Sequence, residues 1–263
     1  MKIKVFLTAL VIILLIFTSC DDFFSTSWGT MRTWHPDQIQ ITPNNLQDLL
    51  RIAAYDPRFA DALTQAIIRE LGNDPPEPYR TELEKAGITA AIKTSEIGIS
   101  DLVDNISTIL DIISSGEYDG NAENLFFTML RNLQKNFGQG ERAAAHILVI
   151  LAPTIENNPP EFTKTDHIKN TEAIQAVLLL TLAILDGKEI SENPNTLRND
   201  LGLGISGNKI TAPRPSIRPP MPGWENEKDG NLSYTLAAYI NYFADPANDS
   251  IYGEYIRKAF GLN

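Results

Sequence analysis

Three histidines, one cysteine and a few closely spaced acids are the side chains through which this sequence could do chemistry. A zinc hydrolase or a dinuclear centre needs His, Cys, Asp or Glu at ligand spacing, and His35, His146 and His167 stand in no such set; the HExxH pattern is absent and no metal site is predicted. His146 lies between Ala145 and Ile147 in an apolar run, the place of a hydrogen-bonded core or boundary histidine. His167 follows Asp166 in a polar connector, where neighbours in sequence seldom orient one another as a base and its partner. Glu82 with Glu84, and Asp101 with Asp104, read as solvated helix surface and first-turn acids better than as a glycosidase pair. Gly202, Gly204 and Gly207 have the GxGxxG spacing but follow a helical segment and lead into proline. A dinucleotide loop must instead link a strand to a helix, so that the pyrophosphate meets the helix N-terminus. No catalytic residue and no cofactor is predicted, and the chain is read as a non-enzyme.

Binding character is concentrated elsewhere, in Arg214, Arg218 and Trp224. They lie in a stretch from Gly202 to Gly230 that holds Pro213, Pro215, Pro219, Pro220 and Pro222. Each proline disfavours helix at its own position and the one before, so this stretch is expected to be a long, stiff, extended strap. Arg and Trp are enriched at contact hot spots, which makes the three residues a possible binding edge. The alternative is that the strap packs across the protein's own helices, its arginines paired with surplus carboxylates.

The elements that must position these residues are helical. Asp56-Pro57 and Thr42-Pro43 each place a capping side chain before a proline at a first helical position. Helices are expected over about 43–54, 57–71, 78–97 with a break near Gly87, 100–115, 121–137, 140–156, 170–186, 194–201, 231–243 and 247–260. The segment from Ala173 to Leu185 is apolar except for Gln175 and Thr181, and reads as a central helix buried on nearly all sides. No sustained period-two run appears. The predicted fold is all-α: an irregular multi-helix bundle, with a degenerate helical-repeat solenoid as the alternative, although the helix breaks keep no fixed period.

Composition narrows the partners. With 22 Lys+Arg against 33 Asp+Glu the chain carries a formal −11, which argues against nucleic acid and against electrostatic adhesion to anionic lipid. A single cysteine allows no intrachain disulfide and no CxxC pair.

That cysteine is placed where it has a meaning of its own. Lys2 and Lys4 precede a run from Val5 to Phe17 that is apolar except for Thr8, which is too short for a permanent span and suited to the h-region of a signal peptide. Phe17-Thr18-Ser19-Cys20 closes it. The arrangement resembles the lipobox of bacterial lipoproteins, with Phe17 where the commonest form has leucine. The resemblance covers about the first twenty residues. It implies that the Cys20 thiol receives a diacylglyceryl group and that residues 1–19 are removed. Two or more acyl chains at about 0.8 kcal/mol per buried methylene make a durable anchor. The expected organisation is therefore a signal peptide over 1–19, a lipidated tether over 20–41 and one helical domain over 42–263. The function expected is that of a lipid-anchored protein of the bacterial cell envelope, on the extracytoplasmic side (periplasm or cell surface). There it serves as a noncatalytic interaction or scaffold module whose partners are envelope proteins. The alternative is a small-molecule-binding lipoprotein associated with a transporter, its ligand held beneath the strap.

Overall fold

The computed structural model describes residues 34–94, 123–152, 155–163, 165, 168–218 and 224–262. Cys20, Asp101, Asp104, His167 and the helix expected over 100–115 lie outside them. The chain divides into Met1–His35 and a compact unit Pro36–Asn263, and the fold described below is that of the second.

The first three helices are α1 (Leu46–Ala53), α2 (Pro57–Gly72) and α3 (Tyr79–Lys93). Asp56 caps α2 as its sequence demands, its Oδ1 accepting from the amides of Arg58 at 3.0 Å and Phe59 at 3.1 Å, with Pro57 at the first position. The Thr42-Pro43 signal does not start a helix. Asn45 Oδ1 accepts from the Thr42 amide at 2.8 Å, which turns the chain before α1 begins at Leu46. α3 runs unbroken through Gly87, where α2 and α5 pass too closely for a side chain. A Cβ there would stand 2.9 Å from a Leu151 methyl and 3.2 Å from Ile67 Cγ2. Residues 36–39 fall within the stretch expected to be the tether. Arg69 of α2 donates to the Pro36 and Ile39 carbonyls, both at 3.1 Å, pairs with Asp37, and so fastens residues 36–39 to the body.

Next come α4 (Glu123–Gln134) and α5 (Gln139–Leu151), then a two-residue antiparallel ladder of β1 (Ile155–Glu156) and β2 (Glu161–Phe162). α6 (Asn170–Leu185) is buried at every residue from Glu172 to Leu182 and contacts α3, α4, α5 and α8, as expected of a central helix. α7 (Pro194–Asp200) follows. The stretch expected to be an uninterrupted strap over 202–230 instead opens with a hairpin of β3 (Gly204–Ser206) and β4 (Lys209–Thr211) and closes with a 3-10 turn at Trp224–Glu227. α8 (Lys228–Ala244) and α9 (Ile251–Ala259) end the chain.

The fold is thus all-α, with two minute hairpins. Helix α6 meets helices distant in the chain, and this contact pattern is a bundle's and not a solenoid's, where each unit touches its sequence neighbours alone.

Every residue of α8 from Asn231 to Asn241 is buried, although several are polar. The reason is that the loops bring their backbone groups to this helix. Asn231 Nδ2 donates to the Ile217 and Glu227 carbonyls, Ser233 Oγ to Leu201, Tyr234 Oη to Asn157, and Asn241 Nδ2 to Pro160 and Ile210, all between 2.8 and 3.0 Å. Loop carbonyls are thereby satisfied without strands, and the polar side chains of α8 are satisfied without water. Three hydroxyls break this pattern. Those of Tyr239, of Thr181 on α6 and of Tyr79 on α3 are buried with no hydrogen-bond partner among the described residues.

Candidate functional site

The strap residues are held by a latch. Glu227, at the end of the 3-10 turn, accepts from the Ser216 amide at 2.7 Å, the Ser216 hydroxyl at 2.6 Å and the Ile217 amide at 3.2 Å. The Ser216 hydroxyl and the two amides hold its carboxyl below the usual carboxylate range. Arg218 is half-buried. Its guanidinium donates to the Ile155 carbonyl at 2.8 Å and stands 5.2 Å from the centre of the Tyr234 ring, while burial lowers its pKa from the ordinary arginine value. The arginine is engaged by a carbonyl and an aromatic face, not by a carboxylate. It ties the strap to β1 and α8.

Arg214 is exposed on the strap, and Trp224 begins the 3-10 turn, with its side chain outside what is described. Arg218 and Arg214 are close enough for each charge to be felt by the other. The other candidates separate. His35 is exposed, and His146 is half-buried on α5. Glu84 pairs with Arg80 at 3.3 Å while Glu82 faces solvent. Gly202 and Gly207, at φ +67° and +61°, take the left-handed backbone that turns the chain into and through the β3–β4 hairpin. Among the described residues no three His, Cys, Asp or Glu side chains converge to hold a metal ion, and no helix is long and apolar enough to cross a membrane.

Two concavities lie away from the strap. The smaller, about 320 Å³, is floored by a polar network in which Tyr242 Oη donates to Asn170 Oδ1 at 2.8 Å and Asn248 Nδ2 reaches the same oxygen at 3.2 Å. Asp245 and Asp249 stand on its walls. The larger, about 550 Å³, opens between α1, α3 and the start of α6. Pro43, Leu46, Leu50 and Ala86 supply apolar wall; Arg51, Lys85 and Lys169 supply positive charge, with Glu82 the one acid among the lining residues. Below it Thr89 Oγ1 donates to the buried Glu172 carboxylate at 2.6 Å, and Lys169 Nζ stands 3.6 Å from the same carboxylate. Sequence reasoning missed this cleft. Its walls come from residues 43–51, 82–89 and 169, no two of which form a motif. The amphipathic pattern of α1 marks an inward face without saying that a gap stands beside it.

Compared with known protein families, curated proteins and solved structures, the chain matches none.

Proposed function

We propose that this chain is a lipid-anchored protein of the bacterial envelope whose helical body serves as a noncatalytic interaction module for other envelope proteins. The observation that carries the reading is Phe17-Thr18-Ser19-Cys20 at the end of a short apolar run begun by Lys2 and Lys4. Removal of residues 1–19 takes two lysines and no acid, so the mature chain carries a formal −13 and its body is repelled by an anionic leaflet. The compact unit begins at Pro36, sixteen residues after Cys20. Acyl chains hold the protein at the surface and charge holds the body away from it, an arrangement suited to meeting protein partners beside the membrane.

The test is metabolic labelling with an alkyne fatty acid in the native host. Wild type is expected to incorporate label at Cys20 and to lose residues 1–19; Cys20→Ala is expected to take up none. Equal labelling of the two would overturn the reading. In-cell crosslinking of the anchored protein is expected to capture other envelope proteins.

A further inference from the structure

The cleft between α1, α3 and the start of α6 combines an apolar wall with positive charge. Its volume of about 550 Å³ falls in the range that small ligands occupy. Its cations are not equivalent. Arg51 is exposed and pairs with Asp48 at 3.0 Å, and Lys169 faces the Glu172 carboxylate at 3.6 Å. Lys85 is half-buried and forms no ion pair among the described residues, on a protein whose acids outnumber its bases. Glu82 lines the same cleft three residues before Lys85, but it is exposed, so water screens its repulsion of an anion. Glu172 is below the cleft with Thr89 and Lys169 already on its carboxylate. A half-buried lysine with no ion pair among the described residues, lining the cleft beside Leu46, Leu50 and Ala86, suits a negative charge attached to an apolar body.

The geometry points to a binding site for a small organic monoanion with a compact apolar body, its carboxylate or equivalent group on Lys85 and its body against Leu46, Leu50 and Ala86. This goes beyond the scaffold reading and is independent of the lipid at Cys20. Such a site makes the interaction module responsive to a metabolite.

The probe is 1-naphthoate, compared with neutral 1-naphthamide and with acetate, on the full chain purified from its host. Amine-reactive labelling read by mass spectrometry reports Lys85, with exposed Lys188 as the control. Naphthoate is expected to protect Lys85 saturably, by about fivefold or more, without protecting Lys188, while naphthamide and acetate leave Lys85 open at the same concentration. Lys85→Gln is expected to weaken naphthoate binding about tenfold, the loss of one charge-assisted contact, with an unchanged thermal melt. Leu50→Trp, which fills the cleft, is expected to abolish binding. Equal protection by naphthamide, equal protection of Lys188, no protection at all, or undiminished binding by a folded Lys85→Gln would each overturn the inference. The Cys20→Ala chain is expected to bind as the wild type does, so a failed anchor and a failed cleft give different results.

Discussion

Asn241 completes β4 with its side chain: its Oδ1 accepts from the Ile210 amide at 2.7 Å and its Nδ2 donates to the Ile210 carbonyl at 2.8 Å, the two bonds a neighbouring strand would have made. The same Nδ2 also donates to the Pro160 carbonyl at 2.9 Å, so one buried amide from α8 closes the open edge of one hairpin and holds the turn of the other. A strand needs a row of partners, whereas a helix offers one side chain every turn. For a three-residue strand, one is enough.

Asn241→Ala should therefore be among the most damaging single changes. It leaves an amide and two carbonyls buried without partners, at about 1–3 kcal/mol each before relaxation. A loss of about 3–5 kcal/mol in urea-unfolding free energy is expected, and a loss below about 1 kcal/mol would show that water reaches the gap.

Two tyrosines five residues apart on α8 should respond in opposite directions to loss of their hydroxyls. Tyr234 donates to the Asn157 carbonyl at 2.8 Å, and Tyr234→Phe is expected to cost about 1 kcal/mol. Tyr239 has its ring edge-on to Phe162 at 4.8 Å and its hydroxyl unpaired among the described residues, and burial together with nearby Glu172 raises its pKa. Removing that hydroxyl removes a desolvation cost, so Tyr239→Phe is expected to be neutral or to stabilise by about 1 kcal/mol. Paired thermal melts decide it.

Gly87 tests how closely three helices approach. An alanine in a helix interior gains about 1 kcal/mol over glycine, but here its methyl overlaps Leu151 and presses on Ile67, and overpacking costs about 1–3 kcal/mol. Gly87→Ala is expected to destabilise on balance. In a double-mutant cycle with Leu151→Ala, whose own cavity costs about 2–5 kcal/mol, the second substitution should relieve the first and give a favourable coupling. Strict additivity would mean that the helices move apart instead.

The latch at Glu227 gives acid sensitivity. Its carboxyl is held lower in the folded chain than in the unfolded one, because the Ser216 hydroxyl and the Ser216 and Ile217 amides favour the charged form. Its contribution is present above the ordinary glutamate range and is lost as pH falls through the lowered folded value. Glu227→Gln is expected to flatten this part of the acid limb of stability against pH. Hydrogen exchange at the Ser216 and Ile217 amides should quicken in the variant at neutral pH, and unchanged exchange would contradict the latch.

Where the fold was legible in sequence, one rule governed it locally. Asp56-Pro57 is sufficient to start α2, and Ala173 to Leu185 is so apolar that burial follows. Where it was not, a distant partner decided. The burial of α8 is hidden because Asn231, Ser233 and Asn241 look like surface until the loops that bond to them are in place. Gly87 reads as a helix breaker until Leu151 is seen against it. Both hairpins have strands of two or three residues, too short to show alternation. Arg218 stood out in the sequence, but its partners, the Ile155 carbonyl and the Tyr234 ring, belong to parts of the chain that no local pattern connects to the strap. Lys85 had no signal at all, since lysine on a helix is ordinary and only the space beside it is not.

Both hairpins and the strap are fastened by side chains of α8, a helix that follows all of them in sequence. A chain cut just before residue 228 therefore loses these fastenings together, and its loops are expected to become ready substrates for proteases.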